Sequence, residues 1–280
     1  GNSSPTELLA ISWCKLRRIP YCLEGDGAFA KSGNGLKERI KAQSIRGATL
    51  YLSTCQELDK YYLHYGAKAD ALRRYHFSSL TERDILAAPV SLERKQALRK
   101  ALGVPEEKML LSVGQFIPRK GFDVLLQAVN ALDKHIGVYI VGGKPTEEYL
   151  TYARENDLTN VHFVGFKTKQ ELENYYLAAD LFVLPTREDI WGLVVGEAMS
   201  CGLGVITTTM CNAGLTLIDN GKNGFLVPPE DVRALRMAIT DAIVHSAAFG
   251  AAALETIRPY TVETMAADHM RILAELQKEE

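Results

Sequence analysis

The feature that most constrains the fold is a regular alternation of short apolar runs with helical patterns between residues 107 and 244. The apolar runs lie at residues 109–113, 138–141, 161–164, 181–184, 205–207 and 225–227. The helical patterns lie at residues 122–132, 147–155, 169–178, 192–201 and 231–244. Alternation at this spacing predicts a parallel sheet with helices on both faces. We therefore predict an α/β fold with a Rossmann-like domain in this part of the chain.

Ligands of such sheets bind outside the carboxyl ends of the strands, where the strand order reverses. The candidates for function are therefore the segments that directly follow the predicted strands. These segments are residues 114–121, 142–146, 165–168, 186–192 and 208–215.

The first hundred residues predict a smaller α/β piece, with three strands near residues 20–24, 49–53 and 72–77. Because three strands are few for a doubly wound domain, we expect the beginning of this domain to be missing and its sheet to have an unpaired edge. That edge favours a homodimer, and collapse of this region against the helix at residues 262–276 is the alternative. The charged residues 91–103 are interpreted as a linker. One apolar stripe over residues 262–276, after an N-cap at Thr261, predicts a helix that packs back toward the first domain. The predicted domains are residues 1–104, 105–258 and 259–280.

Composition sets the class of protein. With 280 residues, 47% of them hydrophobic and 24% charged, the chain has material for two globular domains. Its apolar runs are far shorter than the roughly 20 residues of a membrane-spanning helix. Five scattered cysteines, an odd number without CxxC spacing, predict reduced thiols and a cytoplasmic location.

Charge is unevenly distributed along the chain. Residues 1–100 carry 17 Lys and Arg against 10 Asp and Glu, although the whole chain has a net charge of −2. A basic first part favours phosphate-bearing acceptors or peripheral contact with an anionic membrane surface, and an ordinary solvated face is the alternative. We predict no nucleic-acid partner.

The segment 185–199 carries the most informative motif. A predicted strand ends at Pro185, Glu188 and Asp189 occupy the following turn, and a helix starts after Gly192. Free N–H groups and the positive end of the helix dipole meet at that point, where they favour an anion. The segment therefore predicts a site for phosphate or for sugar hydroxyls.

A second motif follows the first strand of the same domain, from Gly114 to Gly121. Arg119 and Lys120 lie in it, and Lys120 is the stronger candidate for binding. Two fixed cations beside a helix terminus can stabilise a departing diphosphate in place of a metal ion. Adjacent basic residues after a strand are also common surface features, and that alternative stays open for this motif alone.

Taken together, these motifs resemble the family-four glycosyltransferases, retaining enzymes of the GT-B type also grouped as glycosyl transferases group 1. Asp189 stands eight residues before Glu197, as do the two acids of that family's signature, with Glu188 as the alternative first acid. The resemblance covers residues 110–244 and continues more faintly into the first hundred residues. It implies that the first acid binds the donor sugar and that Glu197 binds the ribose.

The resemblance also implies the rest of a donor site. Lys120 and Arg119 would neutralise the diphosphate, and Arg119 would replace the arginine that many relatives carry where Gln115 stands. With Asp189 and Glu197 they form the predicted catalytic set. No metal ion and no cofactor are expected, and the donor would be a UDP- or GDP-linked sugar. The residues implied to line its pocket are Gly114, Gly142, Gly143, Phe166, Gly192, Leu193 and Gly214.

The function implied is transfer of a hexose to an acceptor hydroxyl with retention of configuration, in glycan or polysaccharide biosynthesis. The partners would be the nucleotide sugar and a glycan or lipid-linked acceptor. No histidine lies in a matching context, so we nominate no catalytic base. A nucleotide-sugar-binding fragment without transferase activity is the alternative. A dinucleotide-dependent oxidoreductase is disfavoured because no strand is followed by a GxGxxG turn with a later acidic residue.

Overall fold

A computed structural model describes residues 4–30, 33 and 35–276. Contacts between residues divide the chain into two compact units. The first contains Gly1–Ser78 and Tyr260–Glu280, and the second contains Ser79–Pro259.

The first unit begins with three strands that alternate with helices. Its elements are α1 (Pro5–Arg17), β1 (Cys22–Glu24), α2 (Leu36–Ile45), β2 (Leu50–Ser53), α3 (Gln56–His64) and β3 (Leu72–Arg74). The strands form a parallel sheet in the order β1-β2-β3, and Leu52 in the central strand pairs with Glu24 on one side and Arg73 on the other. Each pair of parallel strands is joined by a helix, as a parallel connection requires.

The first α-helix of the second unit is α4 (Leu92–Leu102), and an alternation of strands and helices follows it. The elements that follow are β4 (Lys108–Val113), α5 (Phe122–Val129), β5 (Ile136–Val141), α6 (Glu147–Glu155), β6 (Val161–Val164), α7 (Lys169–Ala178), β7 (Leu181–Leu184), α8 (Leu193–Ser200), β8 (Gly204–Thr208), α9 (Asn212–Leu217), β9 (Gly224–Val227), α10 (Val232–Val244) and α11 (Ser246–Ile257). The parallel sheet predicted from the sequence is confirmed.

The six strands of the second unit are hydrogen-bonded in the order β6-β5-β4-β7-β8-β9. This is the strand order of a Rossmann sheet, in which the direction of winding reverses between the first and fourth strands in sequence. Here those strands are β4 and β7, paired through Leu110 with Leu181 and Leu111 with Phe182. The fold therefore places the expected binding crevice outside the carboxyl ends of β4 and β7.

The core of the second unit lies between this sheet and its helices. Every residue of β5, β7 and β8 is buried. Strands covered on both faces read as continuous apolar runs, and for that reason the sequence shows no alternating pattern here. The packed cluster includes Leu110, Leu125, Val183, Ile206 and Ile239.

The helix α4 corrects one prediction. Residues 91–103 were interpreted as a linker, but α4 belongs to the second unit, and the division between the units falls at residue 78 rather than 104. Arg99 is 5% exposed and donates to the carbonyl of Ala178 at 2.9 Å and to Asp180 Oδ2 at 2.6 Å. A charged helix is thus fixed by one buried arginine, whose partners lie about 80 residues away in sequence.

The segment 208–215 was expected to be a loop, but the helix α9 begins within it at Asn212. The helix α11, which was not predicted, starts directly after α10. Among the described residues no single helix is long and apolar enough to cross a membrane, and one bent pair, Val232–Val244 with Ser246–Leu276, passes that test by length and composition only.

The last helix, α12 (Val262–Leu276), completes the first unit and has the bounds expected from its apolar stripe. The Thr261 hydroxyl accepts a hydrogen bond from the N–H of Thr264 at 3.1 Å, as an N-cap does. Ile272, 1% exposed, packs with Leu50, Leu52 and Tyr75 of the sheet.

The strand β3 is shorter than predicted, ending at Arg74 rather than residue 77. The Tyr75 N–H still donates to the Ser53 carbonyl of β2 at 3.0 Å, and the next N–H, that of His76, donates to Asp268 Oδ2 of α12 at 3.0 Å.

Candidate functional site

The loops after β4 and β7 meet in an ion pair. Lys120 Nζ donates to Asp189 Oδ2 at 2.6 Å, and the two side chains are only 13% and 12% exposed. Arg119 Nη1 lies 3.4 Å from the other oxygen, Asp189 Oδ1. Three of the four predicted catalytic residues therefore lie together, at the point where the sheet reverses direction.

The two loops are also joined through their backbones. The carbonyl of Arg119 accepts from the N–H of Arg187 at 2.8 Å and from the hydroxyl of Thr186 at 2.9 Å. The Arg119 guanidinium donates to the carbonyl of Glu188 at 2.7 Å. These bonds hold the cationic loop against the acidic loop, so that the position of Lys120 relative to Asp189 does not depend on the ion pair alone.

Arg187 is a further fixed cation that the sequence interpretation did not single out. Its guanidinium binds both carboxylate oxygens of Asp123, at 2.9 and 2.6 Å, and also the carboxylate of Glu230. Burial opposes ionisation of Asp123, but the hydrogen bonds from Arg187 hold the pKa of Asp123 below its usual value. Because Arg187 is neutralised by two carboxylates, it anchors the loop rather than offering a free charge.

Helix α8 begins directly after the acidic loop. Gly192 precedes it with φ of 96°, and a Cβ at this position would lie 2.7 Å from Cys211 Sγ. Both the left-handed backbone and the close sulfur require glycine here. Leu193, the first residue of the helix, is 42% exposed. The amino terminus of α8, with its free N–H groups, therefore opens near the loop that carries Asp189.

Glu197 lies in α8 and has a different partner from the other predicted catalytic residues. Its Oε2 accepts a hydrogen bond from the Tyr176 hydroxyl at 2.9 Å. Tyr176 is 3% exposed, and burial together with the Glu197 charge raises its pKa well above the usual value. The phenol stays protonated at neutral pH, so it is a permanent donor that fixes one oxygen of Glu197.

Tyr176 was missed because its partner is 21 positions away and its place in the helix α7 reads as an apolar face. Arg187 was missed because both of its acidic partners are also distant in sequence, at Asp123 and Glu230. In neither case does local spacing in the sequence carry a signal.

The predicted glycines have unequal surroundings. A Cβ on Gly142 would lie 2.1 Å from the carbonyl oxygen of Gly114, so the loops after β4 and β5 approach too closely for any side chain. A Cβ on Gly143 would contact nothing within 4 Å. Gly214 lies inside α9, packed against Thr207.

Phe166, predicted near the nucleotide base, lies on the loop after β6 and is 81% exposed. That loop is two strands away from β4 in the sheet. The structure thus does not place it with the ion pair, and its role stays a prediction. In the described part of the chain no three His, Cys, Asp or Glu side chains gather in a way that could hold a metal ion.

The fold is similar to those of known structures. Sucrose-phosphate synthase from Thermosynechococcus elongatus superposes with a TM-score of 0.77 at 23% identity, over 98% of this chain and 73% of that one. Anabaena Alr3699/HepE in complex with UDP gives a TM-score of 0.80 at 19% identity, over 97% and 76% of the two chains. The strand order and these neighbours show an α/β protein with a GT-B-like fold.

The family follows from the sequence match. Residues 94–251 match the model of the family described as glycosyl transferases group 1, and the chain belongs to this family. D-inositol 3-phosphate glycosyltransferase of Saccharomonospora viridis is 31% identical over 218 residues, 70% of this chain and 46% of the relative. The chain spans about half the length, or less, of the curated relatives that it matches.

Proposed function

We propose that this chain binds a nucleotide diphosphate sugar and transfers its hexose to an acceptor hydroxyl with retention of configuration, in the synthesis of a glycan. The observation that carries the proposal is the ion pair of Lys120 and Asp189 at the carboxyl ends of β4 and β7. Both charged groups are largely buried at the crossover of a Rossmann sheet, the place where such sheets bind nucleotides.

The charges of the site suit a diphosphate. An ammonium group has three N–H donors, and one of those on Lys120 is used by Asp189. Arg119, 45% exposed, has guanidinium donors available beyond its bond to the Glu188 carbonyl. Two cations facing one carboxylate leave a positive surplus beside the amino terminus of α8. We infer that this surplus binds the diphosphate and stabilises its charge as the sugar leaves.

The remaining roles follow from position. Glu197, with one oxygen held by Tyr176, has a second oxygen available to accept from ribose hydroxyls. Asp189 would accept from a hydroxyl of the donor sugar once the diphosphate takes over its cations. UDP is the first nucleotide to test, because the neighbouring Anabaena protein was solved with UDP and with UDP-glucose, and GDP is the second.

Binding is tested by calorimetric titration with UDP, GDP, UDP-glucose and uridine. We expect one of the two diphosphates to bind and the nucleoside to bind far more weakly, since the fixed charges address phosphate. Equal affinity for uridine and UDP, or no binding of either diphosphate, would contradict the donor site.

Transfer needs a separate assay, in which the anomeric proton coupling of the product is read by NMR against that of the donor. An axial donor linkage that stays axial in the product supports retention, and an inverted linkage contradicts it. Binding of the donor with no transfer to any of a set of acceptor glycans would favour a nucleotide-sugar-binding protein without transferase activity.

A further inference from the structure

The first unit contains a cavity of about 330 Å³ at the carboxyl end of its parallel sheet. Glu24, the last residue of β1, lines it, as do Asp26 just beyond that strand and Tyr75 just beyond β3. Pockets for small ligands start at volumes of about 300 Å³, so this one suits a ligand of the size of a monosaccharide. Its position obeys the rule that parallel sheets bind ligands beyond the carboxyl ends of their strands.

The lining combines aromatic faces with carboxylates. Tyr61 and Phe77 contribute partly exposed rings, Tyr62 and Tyr75 are only 2% and 5% exposed, and Glu24 and Asp26 contribute acceptor oxygens. An aromatic ring gives a flat apolar surface with an electron-rich face, which suits the C–H face of a sugar ring. Carboxylates accept hydrogen bonds from hydroxyl groups and repel anions. Both kinds of side chain therefore favour an uncharged polyol.

Glu24 is held in place by its neighbours in the same unit. Its Oε1 lies 3.0 Å from His269 Nε2, and the other ring nitrogen of His269 lies 2.7 Å from the carbonyl oxygen of Met265. Tyr75 also forms a side-chain hydrogen bond with Glu24. Burial raises the pKa of Tyr75, and this bond raises it further. Asp26 differs, because only its backbone carbonyl has a described partner, the Thr54 hydroxyl at 3.2 Å.

Phosphate recognition normally uses arginine or lysine. Among the described residues, the lining of this cavity includes neither. Nearby basic residues are paired elsewhere, Arg74 with Asp59 and Lys60 with Glu57, at 2.5 and 2.6 Å. The described lining of the cavity therefore carries two carboxylates and no cation. The carboxylates of the cavity disfavour a phosphate-bearing acceptor, although the net charge of residues 1–100 alone would favour one.

We propose that this cavity binds one uncharged sugar or cyclitol ring of the acceptor and discriminates against phosphorylated rings. The inference rests on the proposed function, since it names the acceptor class for that reaction. The aromatic side chains pack against the ring, and Asp26 accepts from its hydroxyl groups.

The test uses saturation-transfer difference NMR on the full chain with two matched pairs of probes. The pairs are methyl β-D-glucopyranoside with glucose 6-phosphate, and myo-inositol with myo-inositol 3-phosphate. We expect transfer to the neutral member of at least one pair and little transfer to its phosphate. Asp26→Ala should reduce the signal of that neutral probe about fivefold, as expected for loss of a charged hydrogen-bond acceptor. Asp26→Lys should move the preference toward the phosphate.

The matched control is Asp70→Ala. Asp70 is likewise exposed, lies in the same unit, and accepts a side-chain hydrogen bond on its backbone carbonyl, from Arg73 at 2.5 Å, but it does not line the cavity. An equal loss in this control, an unchanged signal in Asp26→Ala, or equal binding of phosphates would overturn the inference. So would the absence of signal from every probe in a sample that still binds UDP. If the unaltered chain does not bind UDP, that result would instead contradict the proposed function.

Discussion

Two ion pairs lie at opposite ends of the same strand, and their surroundings differ. At the amino end of β7, the side chains of Arg99 and Asp180 are 7% and 6% exposed. The arginine also donates to the carbonyls of Ala178 and Glu107. At the carboxyl end, Lys120 and Asp189 are about twice as exposed, and the lysine has one described acceptor. The first pair has several hydrogen-bond partners within the protein, whereas the second has donors left for a ligand.

The comparison teaches that an acid and a base in contact do not by themselves mark a site. What distinguishes the pair of Lys120 and Asp189 is unused hydrogen-bonding capacity at the functional edge of the sheet. Asp180 differs, since its side chain is 6% exposed and its Oδ2 also accepts from the N–H of Met109 at 2.9 Å. The variants below separate a pair that stabilises the fold from one that binds.

The largest effect is expected from Arg99→Leu. Removal of the arginine leaves the Asp180 carboxylate buried without its main partner, and we expect a loss of about 3–5 kcal/mol in the free energy of unfolding. Urea denaturation measures it, with Arg94→Leu on the exposed face of the same helix as control. If Arg99→Leu yields no folded protein, Asp180→Asn should show a loss of the same sign. A loss below about 1 kcal/mol in both variants would contradict the structural role.

Lys120→Met should have the opposite profile, with little change in stability and a large change in binding. Loss of a charged donor to phosphate costs about 1.5–3 kcal/mol, which is roughly a 10- to 150-fold weaker affinity for UDP. Affinity for uridine should stay the same. Calorimetry with both ligands and a urea titration give the two readings. A stability loss as large as that of Arg99→Leu would mean that both pairs are structural.

A smaller effect is expected from Tyr176→Phe, which removes only the hydroxyl that donates to Glu197. If Tyr176 positions Glu197 for the ribose, UDP should bind about fivefold more weakly, while 2′,3′-dideoxy-UDP should bind as before. Tyr139→Phe is the matched control, because the Tyr139 hydroxyl donates to another carboxylate of the same unit, Glu106, at 2.8 Å. Equal losses of affinity for both nucleotides would show that Tyr176 does not position Glu197 for the ribose.

The smallest change is expected from Asp189→Asn, and it has the opposite sign for the bare nucleotide. With the carboxylate neutral, the diphosphate no longer competes with Asp189 for Lys120 and Arg119, and UDP should bind about threefold more tightly. The transfer rate should fall, since the donor sugar loses its acceptor. Titration and the transfer assay are run on the same preparation. Weaker binding of UDP would show that Asp189 mainly keeps the cations in position.

Much of the second unit was predictable from sequence because its strands are buried runs separated by helices of ordinary length. The helix α7 has the bounds predicted for it, and in the structure Thr168 and Glu171 form a capping box at its start. The motifs that carry Lys120 and Asp189 were also readable, since residues after parallel strands share one edge of the sheet. To predict that Lys120 and Asp189 are in contact, only the order of the strands in the sheet was still needed.

The remaining features depend on residues that are far apart in sequence. A helix rich in lysine and arginine is typical of a solvated linker. Its bonds to distant groups, among them the carbonyls of Ala178 and Ala179 and the carboxylate of Asp180, attach α4 to the second unit. The bond from Tyr176 to Glu197 and the cavity beside Glu24 likewise depend on residues from different segments of the chain. Local patterns do not encode such contacts.

The order of the strands also has a consequence for how the protein folds. Lys120 and Asp189 are 69 residues apart, and the chain between them includes β5 and β6, which lie on the other side of β4 from β7. Contacts of such long range form late, because closing the intervening loop costs entropy first. Nucleotide then finds no site in partly folded chains, so it should slow unfolding without speeding folding.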